Sequence, residues 1–400
     1  MLKNKNVVLG ITGGIAAYKA AGLVSRLKKM GANVNVIMTK SACEFITPLT
    51  MRSLSQNPVA VDTFAEPKTF EIEHISLAEK ADVFIIAPAT ANVLGKIAGG
   101  IADDMLTTTV MATKAPVVIA PAMNTNMYQN PIVAENIKKL EGLGYLFVPP
   151  RVSRLACGTV GVGAMAAEEN IIEKAVDALT KKDMTGMHVL VTAGPTTEAI
   201  DPVRFITNHS SGKMGVSIAI DAKRRGAKVT LISGPISVLL PSGIKHIKVT
   251  SAQEMYDAVF AGYEEADIII KAAAVADFRP ESMCENKIKK ENATLQLSLV
   301  KNPDILKELG KVKGDRVLIG FCMETQDLIE NAQKKLASKN ADMIVANNLC
   351  DAGAGFGVDT NTVTFVTKND ITPLPNMTKA DVAKEILNKA IRFKAEGAQC

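Results

Sequence analysis

Four hundred residues, 47% of them hydrophobic, with 46 Lys and Arg against 41 Asp and Glu, are enough chain for two domains with full cores. No apolar run approaches the roughly 20 residues that span a bilayer, and the N-terminal apolar run is too short for a signal peptide, so a cytoplasmic protein is expected. A net charge of +5 without a basic stripe interleaved with aromatics fits phosphorylated or carboxylate substrates better than nucleic acid, and six scattered cysteines with four isolated histidines speak against a disulfide framework or a protein-held transition metal.

The chain opens on a buried strand signal, Val7–Ile11, followed by Thr12-Gly13-Gly14-Ile15. Further strand signals come at Val34–Met38, Val83–Ala87, Val117–Ala120 and Tyr145–Val148. Between the first two, Ile15, Leu23, Val24, Leu27 and Met30 mark one helix face, ended by Gly31. Alternating strands and helices predict a parallel sheet covered on both sides, with ligands at the C-terminal strand ends.

A dinucleotide site wants GxGxxG and an acid near the end of the second strand to hold a ribose diol. Here the glycines read Gly10-x-x-Gly13-Gly14, no Asp or Glu occurs before Glu44, and the second strand ends Thr39-Lys40-Ser41. That favours a mononucleotide such as FMN over NAD, its phosphate near backbone N–H groups. The turn alone is equally consistent with an ordinary tight turn.

Three later stretches look like a site rather than core. Ala87-Pro88-Ala89-Thr90-Ala91-Asn92 ends a strand in small and polar residues; Pro121-Ala122-Met123-Asn124-Thr125-Asn126-Met127-Tyr128 follows another. Leu155–Gly163 puts Cys157 in a glycine-rich segment read as mobile. An amphipathic pattern over 166–182 closes the first half, and Asp183–Gly186 reads as a short linker.

The second half begins as the first did, with Val189–Thr192, a stop at Gly194-Pro195, and Ser210-Ser211-Gly212-Lys213 opening a helix-like stretch. Strands are predicted at 228–233, 268–272, 317–321 and 343–346, helices at 252–266, 325–339 and 378–393, and an antiparallel strand at 362–367. Thr378-x-x-Asp381 has the form of a capping box. Asp201, Arg204, Asn208 and Lys213 crowd the first loop, and lysines recur beside strand ends. Such runs are usually solvated surface; here they stand where a triphosphate and a phosphorylated acid could both bind.

GITGGIAAYK (10–19), EIEHISLA (71–78), PATANVLGKIAGGIADDMLT (88–107), PAMNTNMY (121–128) and ACG (156–158) resemble the flavin-dependent cysteine decarboxylases. With DPVR and NHSSGKMG in the second half, the chain resembles over nearly all its length the bacterial bifunctional phosphopantothenoylcysteine decarboxylase/phosphopantothenate–cysteine ligase family of coenzyme A synthesis. It departs at Tyr128, where many relatives carry Trp, and at Thr159, where some have Asp.

The resemblance implies two tandem α/β domains, a flavodoxin-like or Rossmann-like flavoprotein domain over 1–184 and a Rossmann-like ligase domain with a small antiparallel addition over 185–400. It implies FMN held at Gly13, Gly14, Ile15, Thr39, Ala89, Thr90 and Asn92. His74 is then the acid–base residue of substrate oxidation, Asn124 and Met127 contact the substrate, and Cys157 donates the closing proton. An N-acyl cysteine carboxylate loses CO₂ easily only after its CH₂–SH is oxidised to a thioaldehyde, which calls for a redox cofactor. In the second half Asn208 contacts an acyl-cytidylate and Lys287 stabilises charge. Lys271, Ala272, Ala273, Asp277, Lys287, Lys301, Asn302, Pro303, Asp304, Phe321, Lys335 and Lys339 match the CTP site, with Mg²⁺ accompanying the triphosphate. A homo-oligomer with the flavin site shared between subunits is also implied. The rivals are an NAD-dependent oxidoreductase, disfavoured by the missing acid, and a non-catalytic flavin-binding regulatory protein, disfavoured by the joint presence of His74, Asn124 and Cys157.

Overall fold

The computed structural model describes residues 2–64, 72–154, 158, 160–241, 243–289, 296–324, 326–348 and 357–397. The chain divides into two compact units, Met1–Thr180 and Lys181–Cys400. Among the described residues, no helix is long and apolar enough to cross a membrane.

In the first unit, β1 (Asn6–Ile11), β2 (Asn33–Met38), β3 (Val59–Ala60), β4 (Val83–Ala89), β5 (Val117–Pro121) and β6 (Leu146–Phe147) form one sheet in the order β3-β2-β1-β4-β5-β6, with every pair parallel. Alternation divides the strand residues between two cores. Val7, Leu9 and Ile11 pack with Leu23, Val24 and Leu27 of the helix Ala20–Lys29 and with Ile171 and Ala175 of Glu168–Leu179. Val8 faces the other side, with Val93, Leu94 and Ile97 of Ala91–Gly99 and Leu106 of Met105–Ala112.

The helix after β1 departs from its predicted form. Ile15–Lys19 is a 3₁₀ turn before the α-helix begins at Ala20. Ile15 is 60% exposed instead of facing the core, because the tighter turn rotates it off the buried face. A hairpin of β7 (Arg151–Arg154) and β8 (Val160–Ala164) follows the sheet; the predicted mobile segment therefore contains a paired strand. Leu155, Ala156, Cys157 and Thr159 lie outside the described residues.

The second unit repeats the pattern. β9 (His188–Ala193), β10 (Thr197–Ala199), β11 (Phe205–Thr207), β12 (Lys228–Ser233), β13 (Lys245–Lys248), β14 (Ile268–Lys271), β15 (Phe278–Pro280), β16 (Leu299–Lys301), β17 (Val317–Glu324), β18 (Met343–Asn348), β19 (Thr360–Asn361), β20 (Thr364–Thr367), β21 (Ile371–Pro373) and β22 (Met377–Thr378) occur in that chain order. The main sheet runs β13-β12-β9-β14-β17-β18-β20-β21. It is parallel through β18 and antiparallel at β20 and β21.

Val189 and Val191 of β9 meet Val216 and Ala219 of the helix Lys213–Arg224 and Val382 and Ile386 of the helix Lys379–Gly397. Leu190 faces Met255, Leu306 and Leu336 on the opposite side. Gly215 permits the close helix–strand approach, since a Cβ there would sit 2.6 Å from that of Ala193. Thr378 caps the last helix as its sequence promised, accepting from the Asp381 N–H at 3.2 Å and donating to Oδ2 of Asp381 at 2.6 Å.

Candidate functional sites

In both units the strand order reverses at the first strand, between β1 and β4 and between β9 and β14. Diverging connections leave a crevice beyond the C-terminal strand ends at such a switch point.

In the first unit, three segments converge on that crevice. Thr12, fully buried, donates to the Pro88 carbonyl at 2.8 Å and accepts from the Thr90 N–H at 3.0 Å, tying the ends of β1 and β4 together. Thr39 caps the short helix after β2, accepting from the Ala42 N–H at 3.2 Å. Thr90 caps the helix after β4, accepting from the Val93 N–H at 3.5 Å. Gly13 passes so close to Ser41 that an added Cβ would lie 2.8 Å from its carbonyl carbon.

Two adjoining hollows result. One, of about 650 Å³, is lined by Gly13–Ala16, Tyr18, Lys19, Thr90, Ala91, Ala122–Asn124, Met127, Arg154 and Gly163–Met165. The other, of about 510 Å³, is lined by residues that include Gly13, Thr39–Ser41, Thr90–Val93, Lys96, Asp103, Asp104 and Met127. Lys96 is ion-paired to Asp103 at 2.6 Å and Asp104 at 2.9 Å. Beside hydroxyls, glycine backbone and helix N-termini, the hollows offer the cations Lys19, Lys40 and Arg154, a set that suits a single phosphate and a flat ring.

Of the residues singled out from sequence, Gly13, Gly14, Ile15, Thr39, Thr90, Asn92, Asn124 and Met127 line these hollows. Ala89 is fully buried behind them. Asn124 caps the turn Thr125–Tyr128, its Oδ1 accepting from the Asn126 N–H at 2.8 Å. His74 does not join them: it is half-buried on the helix Glu73–Lys80 and lines neither hollow. Cys157 is outside the described residues.

Sequence reading missed Arg154, which the β7–β8 hairpin brings to the cavity. The glycines of Val160-Gly161-Val162-Gly163 held the clue. A Cβ on Gly163 would collide with the Met123 carbonyl and one on Gly161 with the Thr125 hydroxyl. The Met123 N–H donates to the Gly163 carbonyl at 3.0 Å, so the hairpin lies directly on the loop that carries Asn124.

In the second unit a cavity of about 330 Å³ is lined by Asn208, Ser210–Gly215, Lys271–Val275, Asp277, Phe321, Met323, Lys335, Asn347, Asn361 and Lys379. Gly212, at φ +75°, caps the helix Lys213–Arg224, and Asn208 donates through Nδ2 to the Ala274 carbonyl at 3.1 Å. Burial, and next the charge of Lys335, push the Lys271 ammonium down to about 8. The site spends electrostatic energy to keep cations together, as a polyanion site does.

Asn208, Lys271, Ala272, Ala273, Asp277, Phe321 and Lys335 are thus gathered as the sequence suggested. Six others do not line this cavity. Lys339 is paired with Asp304 at 2.6 Å; burial opposes the effect, but this bond and the Lys307 N–H hold the Asp304 carboxyl below its usual range. Asn302 is bound to the Asp277 carbonyl at 2.9 Å and, through its side chain, to the Ala276 carbonyl at 2.9 Å. Lys301 is exposed at the end of β16, and Pro303 follows Asn302. Lys287 is exposed outside the cavity. Its neighbour Ile288 is anchored to Asp201 Oδ2 at 3.2 Å and to the Arg204 guanidinium at 2.8 Å, so in this conformation the segment leans on the Asp201–Arg204 loop. Asn347, Asn361 and Lys379 are lining residues that sequence reading did not select.

Each unit has counterparts among known proteins. Residues 1–180 match the Flavoprotein family model, and residues 184–393 match that of the DNA/pantothenate metabolism flavoprotein C-terminal domain. The Coenzyme A biosynthesis bifunctional protein CoaBC of Bacillus subtilis (strain 168) is 52% identical over 97% of both chains. Its namesake from Escherichia coli (strain K12) is 40% identical over 98% of this chain and 97% of the relative. A crystal structure of the C-terminal domain of Coenzyme A biosynthesis bifunctional protein CoaBC is 43% identical, covering 52% of this chain and 96% of that one, with a TM-score of 0.45. The chain belongs to the bifunctional enzymes of coenzyme A biosynthesis, in which a flavoprotein half is joined to a pantothenate-metabolism half.

Proposed function

We propose that the chain converts 4′-phosphopantothenate to 4′-phosphopantetheine in two steps, one in each half. Residues 185–400 form the ligase. A carboxylate oxygen of 4′-phosphopantothenate attacks the α-phosphorus of CTP, the bond to pyrophosphate breaks, and cysteine's amine displaces CMP from the acyl-cytidylate. Residues 1–184 form the decarboxylase. The single observation that carries this reading is the contrast in lining: four lysines and a glycine-capped helix start around one crevice, small residues, threonine caps and Asn124 around the other.

In the ligase half, Asn208 is the contact to the acyl-cytidylate, its amide aimed by the Ala274 carbonyl. Lys271 and Lys335 receive the triphosphate with Phe321 and the Lys271–Ala273 backbone beside it. Asp277, exposed on the same wall, is the carboxylate available to the Mg²⁺ that accompanies CTP. Lys301–Asp304, Lys339 and Lys287, none of which lines the cavity itself, are assigned to the same nucleotide, Lys287 reaching the reacting phosphates when its segment moves in.

In the decarboxylase half, the two hollows are of cofactor size and fit FMN at Gly13–Ile15, Thr39, Thr90 and Asn92, with Ala89 as backing. FMN held there supplies the two-electron oxidation of the substrate's CH₂–SH and its later reversal. Asn124 binds the substrate carboxylate next to Met127, His74 exchanges the proton of the oxidation step, and Cys157 returns one after CO₂ has left.

His74 is not among the residues lining the Asn124 hollow within one chain, which supports a homo-oligomer in which a second copy completes the flavin site. Ile72, Ile75, Ile101 and Met111, all exposed, offer apolar surface near His74 and the Met105–Ala112 helix for that contact. A cytoplasmic location agrees with the substrates.

Incubation of the purified chain with CTP, Mg²⁺, cysteine and 4′-phosphopantothenate should release pyrophosphate and CO₂ in equal amounts and give 4′-phosphopantetheine. Pyrophosphate without CO₂ from a flavin-replete protein would refute the decarboxylase assignment, and neither product would refute both.

A further inference from the structure

Lys379 is a lysine for which neither the ligase chemistry above nor the sequence motifs have a use. It heads the helix Lys379–Gly397, and Lys213 heads the helix Lys213–Arg224. The two helices pack on one another in the same core, and both first residues line the 330 Å³ cavity. Two helix N-termini, each carrying a lysine, therefore open side by side onto one wall.

The intervening segment 357–359 binds both ammonium groups. Lys213 donates to the Gly357 carbonyl and to Asp359 Oδ1, each at 2.7 Å. Lys379 donates to the Val358 carbonyl at 2.6 Å, and its own N–H donates to the Asp359 carbonyl at 2.9 Å. Lys379 is only 7% exposed. Burial, and next the charge of Lys213, work against its ammonium form, with Asp359 in partial opposition. Asp359 itself is 87% exposed at its side chain, so it is a weak counter-ion for two lysines. Among the residues lining the cavity, four lysines stand against the one carboxylate of Asp277.

We propose that Lys379 is a positioning residue of the ligase site: with Lys213 it forms a cationic wall that receives a phosphate group of a substrate in the cavity they share with Lys271 and Lys335. This rests on the ligase reading. Two substrates of that reaction carry phosphate, the triphosphate of the nucleotide and the monophosphate of 4′-phosphopantothenate, and the shared chemistry is a phosphate oxygen accepting from an ammonium.

The test is equilibrium binding to the full-length flavoprotein of CTP, of 4′-phosphopantothenate, of unphosphorylated pantothenate and of inorganic tripolyphosphate. Lys379→Met should weaken one phosphorylated substrate by about tenfold or more, the size of a lost charge-assisted contact, and leave pantothenate unchanged. Lys379→Arg should restore binding to within about threefold of the parent. Loss confined to CTP and tripolyphosphate assigns the wall to the triphosphate; loss confined to 4′-phosphopantothenate assigns it to the monophosphate. Asp359→Asn, which frees Lys213 from its carboxylate, should tighten the same ligand by about two- to threefold, and keeps the question answerable if Lys379→Met does not fold. Unchanged affinities in Lys379→Met, equal loss in Lys379→Arg, or weakened binding in Asp359→Asn would each overturn the proposal. Absence of CTP-dependent pyrophosphate release in the parent protein would instead overturn the ligase reading, and the tripolyphosphate arm would still report on the wall.

Discussion

The two units share a strand order, 3-2-1-4-5-6 counted along the main sheet of each, and place their crevices at the same topological point. They differ in what the loops bring there. In the first unit the ends of β1, β2 and β4 turn directly into helices through Gly13, Thr39 and Thr90; of the cations there, Lys96 is paired with two aspartates, while Lys19 and Arg154 line the larger hollow. In the second unit the loop after β9 is long, folds back as the β10–β11 pair, and reaches its helix at Gly212 only after bringing Asn208 into the cavity. Lysines then enter from four separate elements. One sheet topology therefore yields a largely apolar cleft with few cations and a small one crowded with four lysines: the fold decides where a ligand goes, and the lining residues decide which charge it carries.

Variants that damage one crevice and spare the other test this contrast. The largest effect is expected from Lys287→Gln, which keeps much of the reach and removes the cation. Ligase turnover should fall by roughly 10²-fold or more, with decarboxylation of supplied phosphopantothenoylcysteine unchanged. Both half-reactions measured on one preparation decide it; no loss in ligation would return Lys287 to solvated surface.

Next come the two close-approach glycines. Gly13→Val drives a side chain into Ser41 and should weaken flavin binding by roughly 10- to 100-fold, the cost of overpacking a tight contact, while ligation continues. Gly212→Val faces both φ +75° and Gly194, whose Cα lies 3.2 Å from the added Cβ. It should cut ligase kcat/KM by about tenfold or more and leave flavin content unchanged. Crossed effects would show that the two crevices are not separable.

A smaller effect concerns pH. Lys271, pushed down to about 8, is a cation below that pH and neutral above it. Ligase kcat/KM for CTP should therefore fall as pH rises through about 8, a limb the flavin half has no reason to share. Lys335→Met removes the second-largest cause of the lowering, so the limb should move to higher pH; a limb that stays in place would detach it from Lys271.

The smallest is Thr12→Val, which keeps the side-chain shape and strands the Pro88 carbonyl and Thr90 N–H. Denaturant unfolding of the first unit should show a loss of about 1–3 kcal/mol, with the second unit's transition unaltered.

Much of this was legible along the chain because it depends on local pattern. Buried apolar runs located every parallel strand except the short β3 and the edge strand β13, where two to four residues carry too little pattern. The missing acid after β2 and the threonine at its end pointed to a mononucleotide because strand-end chemistry is read from adjacent residues. Ile15 was misplaced because a 3₁₀ turn and an α-helix share their opening residues but not their rotation. The hairpin of Arg151–Ala164 was overlooked because alternating glycine and valine resembles a flexible loop until the Met123 carbonyl is seen against Gly163.

The sequence by itself determined the two-unit α/β architecture, the positions of the strand ends and the residue types available at each, since these follow from periodicity and from which side chains stand beside a turn. Only the tertiary structure decided which of those residues share a cavity. Lys335 and Lys339 sit four apart along one stretch, yet one lines the site and the other is held by Asp304. Lys213 and Lys379 are far apart in sequence, yet meet because two helices pack on the same sheet face and start at the same end. Spacing along a chain limits what a side chain can reach; the packing of elements distant in sequence selects what it touches.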